Sequence, residues 1–180
     1  EYNPNNPGLY LIIARLEATK GDMKKARENV LKALALKSNY TEAIFLLSQI
    51  EAQEGNTKLA IQALEAAVYL APNDVGLLFQ LGLLRYNDKN YKDAIVAFEQ
   101  AITLNTVYAN AKYFLGLSYN KVERNTDAIK QFEDIEKTNP DNAEIKKILE
   151  NLRVGRDAFI NVKPPDNTPE KRKKLPVKEN

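Results

Sequence analysis

The side chains that do most enzyme chemistry are missing from this chain of 180 residues. There is no histidine, which removes the commonest general base and the commonest metal ligand. There is no cysteine, which removes thiolate nucleophiles, disulfides and thiolate zinc sites. Carboxylates, cations and aromatic rings remain. The densest carboxylate group is Glu133, Asp134 and Glu136. Carboxylates in pairs can do acid–base work, but these have no candidate nucleophile and fall on a helix expected to face water, so a hydrated surface is the better reading. The densest cationic group is Lys171, Arg172, Lys173 and Lys174. Such a run is similar to a nuclear import signal or a polybasic patch for lipid or nucleic acid, and on a polar tail it reads more simply as a solubilising end. No catalytic, cofactor or metal site is expected.

The overall charge agrees. Lysine and arginine number 26 and acidic residues 24, a net charge of +2 that offers no global field for nucleic acid or an anionic membrane. From residue 156 onward there are seven basic and four acidic residues, so the tail carries +3 and the rest −1. Apolar residues make up 44%, enough for a packed core. No apolar stretch approaches the roughly 18 residues of a membrane span. The first residue is Glu1 rather than methionine, so the chain is expected to be part of a longer protein.

What must position any functional surface is a repeat. Ala26, Ala60, Ala94 and Ala128 recur at intervals of 34 residues. Three further columns keep that interval: Ala14, Ser48, Gly82 and Gly116; Ala33, Ala67, Ala101 and Ile135; Ser38, Pro72, Thr106 and Pro140. Each unit reads as two helices and two turns. In the third unit the first helix is expected over residues 75–88, with Leu78, Leu81 and Leu84 on one face, and the second over 92–105. Gly21–Asp22 and Gly55–Asn56 mark the break between helices, because glycine takes a positive φ at little cost. Small residues on both helices permit close approach, and one unit alone cannot bury both faces of both helices.

This pattern resembles the tetratricopeptide repeat family, over four consecutive units at 7–40, 41–74, 75–108 and 109–142. Leu115, Gly116, Tyr119, Ala128, Phe132 and Pro140 of the fourth unit stand at family-type positions. The family's aromatic near the start of each unit is here Tyr10, Ile44, Leu78 and Lys112. The resemblance implies an all-α, right-handed superhelical solenoid of antiparallel hairpins spanning 7–155. A capping helix is expected from about 143, with Ile145, Ile148, Leu149 and Leu152 on its apolar face. Residues 1–6 read as the close of a truncated preceding unit. Residues 156–180, basic and proline-rich, read as a disordered tail.

In the family, the second, fifth, ninth and twelfth residues of each unit face the concave groove. The resemblance therefore implies a partner-binding stripe of Leu11, Arg15, Phe45, Gln49, Phe79, Leu83, Tyr86, Asn110, Tyr113, Leu117 and Asn120. With Gly8, Ala18, Glu42, Ala52 and Gly76 it holds one cation, one anion and four aromatics in sixteen positions. An apolar, amide-bearing strip suits a protein or peptide partner with apolar anchors. Packing against neighbouring helices is the competing use for Phe45, Phe79 and Tyr113. Some family members clamp the acidic tail of heat-shock chaperones with lysines and asparagines. Leu11, Arg15, Leu46, Gly76 and Gln80, or Phe45, Gln49, Gln80, Asn110 and Phe114, stand at those positions and match neither way. That ligand is not expected, and neither is nucleic acid.

The expected function is a non-catalytic interaction scaffold. Two alternatives stay open. The chain could be the accessory region of a larger bacterial membrane or envelope protein, such as a surface-polysaccharide ligase or polymerase. The groove could also be filled by a second copy or by the chain's own proline-rich tail.

Overall fold

The computed structural model describes residues 5–162. The expected truncated unit at 1–6 falls mostly outside the described residues, and so do residues 163–180 with the basic run. Among the described residues there are nine helices and no strand. They are α1 (Pro7–Lys20), α2 (Met23–Leu36), α3 (Thr41–Gln53), α4 (Thr57–Leu70), α5 (Val75–Asn87), α6 (Tyr91–Leu104), α7 (Ala109–Lys121), α8 (Asn125–Thr138) and α9 (Ala143–Arg153). The odd-numbered helices begin at 7, 41, 75, 109 and 143, the sequence period of 34 without slippage.

Local chemistry sets the ends. The side chains of Asn6, Asp22, Asp74, Asn90 and Asn142 each accept a hydrogen bond from an otherwise unpaired N–H in the first turn of α1, α2, α5, α6 and α9. Between the helices of each hairpin one residue turns left-handed. In the first two units it is Gly21 (φ 85°) and Gly55 (φ 82°). In the next two it is Lys89 and Glu123, both at φ 63°. The turn is kept where the glycine is not, so the last two hairpins hold side chains in a conformation disfavoured by about 1–2 kcal/mol. Lys89→Gly and Glu123→Gly are each expected to stabilise the protein by about 0.5–1 kcal/mol, after allowing for the looser unfolded chain. Thermal or urea unfolding reads this directly, and a loss of stability at both sites would contradict it.

Each hairpin closes on small residues. Ala14, Ala26, Ala60, Ala94 and Ala128 are fully buried, and Ser48 is 1% exposed. The size of the facing residue follows. Where the first helix carries Ala14 or Ser48, the second carries Val30 or Leu64; where it carries Gly82 or Gly116, the second carries Phe98 or Phe132. Both phenylalanines are fully buried. A Cβ built on Gly82 would lie 2.4 Å from the Phe98 ring, and one on Gly116 would lie 2.7 Å from the Phe132 ring.

Helices in extensive contact are neighbours, or next-but-one neighbours, along the chain. That is the signature of a stacked array, in which each hairpin is supported by the next. A polar ladder runs with the stack. Glu65 bonds Arg85 (2.7 Å), Glu99 accepts from the Tyr119 hydroxyl, and Glu133 bonds Arg153 (3.0 Å). Donor and acceptor repeat every 34 residues in both columns. Asp134 pairs with Lys112 and Lys137. The carboxylates at 133 and 134 are thus ion-paired parts of the surface.

The chain does not leave the fold at residue 156. Ala158 is 1% exposed, and Phe159 and Val162 pack against the C-terminal core. Asn151, itself 3% exposed, donates to the backbone oxygens of Ala158 (3.1 Å) and Ile160 (2.8 Å). Residues 156–162, expected to open a disordered tail, instead pack on the folded body. Composition alone hid this, because Ala158, Phe159, Val162 and the single amide of Asn151 do the holding.

Candidate functional site

The first helix of each unit supplies the stripe. Arg15, Gln49 and Asn110 are exposed, and Phe45, Leu83, Tyr86, Tyr113 and Asn120 are half-buried. Leu11, Phe79 and Leu117 are buried and belong mainly to the core. Phe79 sits among Phe98, Tyr108 and Phe114, with ring centroids 5.0–6.1 Å away. Phe114 lies outside the expected stripe yet joins its aromatics, touching the rings of Phe79, Tyr86, Phe98 and Tyr113. The stripe is thus an aromatic wall backed by core, with polar groups standing above it.

Two hollows open on this wall near the N-terminal ends of the first helices. The first, about 500 Å³, lies between α3 and α5 and is walled by Phe45, Phe79 and Tyr108. Glu42, Asp74 and Gln80 bring polar groups to it. The second, about 490 Å³, lies between α7 and α9 and includes Asn110, Tyr113, Asn142 and Glu144. The two are equivalent positions two periods apart: 42 with 110, 45 with 113, 74 with 142, 76 with 144. Their chemistry differs. In the second, amides replace both carboxylates, and the Tyr113 hydroxyl donates to Glu144 (2.6 Å) across the space left open by Gly76 in the first. The first hollow is anionic at its edge through Glu42 and Asp74.

At the C-terminal end the stripe already holds backbone. Asn151 occupies the ninth position of the sequence that would form a fifth unit, the register of Arg15, Gln49, Leu83 and Leu117. Its amide binds two carbonyls of the chain's own residues 158–160. Lys121 pairs with Asp157 (3.3 Å), and Asn161 and Val162 share a hollow with Ala143, Glu144 and Lys147. Residues 144 and 147 are second and fifth positions of that same register. The segment runs back along α9 and ends beside the second hollow. Extending the 34-residue column by one step would have marked Asn151 in the sequence.

Burial shapes the tyrosines of the wall. It raises the Tyr86 phenol to about 12, helped by the nearby negative charge of Asp157. It also raises Tyr113 and Tyr119, whose hydroxyls are further held neutral by Glu144 and Glu99, and it raises Tyr108. A raised value in the folded state means stability that is complete below the ordinary value of 10.0 and falls away as pH climbs above it. Tyr86, Tyr113 and Tyr119 are expected to ionise only as the helices melt. Phenolate absorbance, followed with circular dichroism through an alkaline titration, checks this. All nine tyrosines titrating in one wave with helicity intact would contradict it.

Among the described residues no group of acidic side chains is arranged to hold a metal ion, and no helix is long and apolar enough to cross a membrane.

Comparison with known proteins bears on the fold. Models described as tetratricopeptide repeat match residues 79–143, 7–40 and 41–74. No curated protein matches the chain in sequence. A crystal structure of MamA superposes with a TM-score of 0.76 at 28% identity, over 83% of this chain and 81% of that one. MamA 41-end from Desulfovibrio magneticus RS-1 gives 0.74 at 21% identity, over 82% and 84%. YrrB, described as a TPR protein with an unusual peptide-binding site, gives 0.74 at 19% identity, over 88% and 84%. At such low identities the last two speak to the fold alone.

Proposed function

The chain belongs to the tetratricopeptide repeat family and is an all-α superhelical scaffold for protein–protein interaction, and from that premise we propose that its concave stripe binds an extended peptide with apolar anchors. One observation carries the reading. The amide of Asn151, at a stripe position, binds the backbone carbonyls of residues 158 and 160. A side chain in this register can therefore satisfy a polypeptide backbone laid against the wall. Gln49 and Asn110 offer the same chemistry further along, while the Asn120 amide already donates to Asn125 (2.9 Å), and Phe45 and Tyr113 line the hollows that would take apolar side chains. Glu42 and Asp74 beside the first hollow argue against an acidic ligand, in keeping with the missing chaperone-clamp residues. Family members generally act as non-catalytic scaffolds, and nothing in the stripe pairs a nucleophile with a base.

The test needs a probe that does not break the fold. Phe79 is unsuitable because it is 8% exposed and packs on three other rings. Phe45 is half-buried and Gln49 exposed. Peptides selected from a random library on the full chain are expected to lose roughly tenfold or more in affinity to Phe45→Ala, about 1.4 kcal/mol or above, with a smaller loss to Gln49→Ala. Tyr69→Ala, at an 85% exposed site on the second helix of its hairpin, should change nothing. Equal binding by all three variants, with helicity unchanged, would remove the concave site.

A further inference from the structure

The chain's own C-terminal segment already lies in the stripe as far as Val162, and the composition of the remaining residues suits the part of the groove still open. Residues 163–180 carry six basic and three acidic side chains, with Lys171, Arg172, Lys173 and Lys174 together. The first hollow has Phe45, Phe79 and Tyr108 as walls and the carboxylates of Glu42 and Asp74 beside it. Glu42 has no ion-pair or hydrogen-bond partner among the described residues. One oxygen of Asp74 caps the Leu77 N–H (3.1 Å), and no cation pairs with it among the described residues. An aliphatic stem ending in a cation fits aromatic walls with an anionic edge.

Distance and direction agree. The described chain ends at Val162, beside Glu144 at the second hollow. The first hollow is two units away along the same side. The first helices α5 and α7 of neighbouring units touch one another, and two such steps amount to about 20 Å at ordinary helix spacings. Lys171 is nine residues past Val162, a reach of about 30 Å when extended.

We propose that residues 163–180 continue along the concave stripe of their own chain and place a cationic side chain from 171–174 in the hollow between α3 and α5. This rests on the groove being a polypeptide site and adds its resident occupant. The source is this chain in cis; a second copy is an outcome of the test.

The absence of cysteine makes the test direct. A spin label on Leu175→Cys in the full chain is expected to broaden the amide signals of Glu42, Phe45, Gly76 and Gln80 at least threefold more than those of α2 and α4. Replacing Glu42→Gln and Asp74→Asn together should abolish that difference. Asparagine remains a good helix cap, so α5 is preserved. Uniform broadening, or broadening untouched by the double replacement, overturns the proposal. So does broadening that survives only when labelled chains are mixed with separate isotope-enriched chains, which would assign the hollow to a second copy. The outcome is separable from the groove reading. Selected peptides that still depend on Phe45 while the label shows no contact would discard the tail and keep the groove.

Discussion

Gly82→Ala is expected to destabilise the protein by about 1–3 kcal/mol, although alanine is the better helix former by about 1 kcal/mol. The added carbon would sit 2.4 Å from a ring atom of Phe98. That ring cannot swing aside, because it is fully buried and packs between Phe79 and Phe114. The neighbouring units show the remedy, since a larger residue on the first helix goes with Val30 or Leu64 on the second. In a Phe98→Leu background the same alanine should cost almost nothing or stabilise. Phe98→Leu alone should lose stability through its cavity. A double-mutant cycle by urea unfolding measures the coupling, and strict additivity would contradict this account of hairpin closure.

Arg27→Met is the second large effect. Glu51 is 6% exposed, and Arg27 reaches both its oxygens at 2.7 and 2.9 Å, with Asn56 donating a third bond at 2.8 Å. Arg27 also bonds Glu54. Removing the guanidinium leaves a buried carboxylate with one amide. The cost at neutral pH is about 2–4 kcal/mol, somewhat below that of a fully enclosed pair because the Arg27 side chain is 31% exposed. The sign with pH is fixed. Arg27 first, then Asn56, holds the Glu51 carboxyl below its ordinary 4.5. That stabilisation is present above 4.5 and is lost as pH falls through the lowered value. The wild type and Arg27→Met should therefore converge in stability in acid, and Arg27→Met with Glu51→Met should recover much of the loss at neutral pH. A constant gap between the curves down to strongly acid pH would show that Arg27 acts through packing.

The sequence made the array legible because its cause is local. A buried small residue every 34 positions and an asparagine or aspartate before most helices are visible without tertiary information. The expected 75–88 and 92–105 helices appear as Val75–Asn87 and Tyr91–Leu104. Other features depended on partners far along the chain. Lys89 and Glu123 hold the left-handed turn because the flanking helices fix it, whatever their own preference. Glu133 reads as bare surface until Arg153 is brought beside it. Phe79 reads as a groove residue by register and does wall the first hollow, but it is 8% exposed and packs on rings of α6 and α7, which register alone does not reveal. The segment 156–162 was obscured by its composition, while its anchor Asn151 stood in plain register.

Register and burial together set what the wall can do. The buried members Leu11, Phe79 and Leu117 stiffen it, and the half-buried Phe45, Leu83, Tyr86 and Tyr113 give it an apolar face. Rigid aromatic groups lose little freedom on contact, which favours a few strong anchors over many weak ones.

Amide hydrogen exchange on the full chain, with and without a library-selected peptide, tests the central claim most directly. The account predicts slowed exchange in the first helices of the hairpins, over residues 42–52, 76–86 and 110–120, with α4 and α6 unchanged. Protection confined to α4 and α6, around the exposed Tyr69 and Leu104, would place recognition on the opposite face and contradict it.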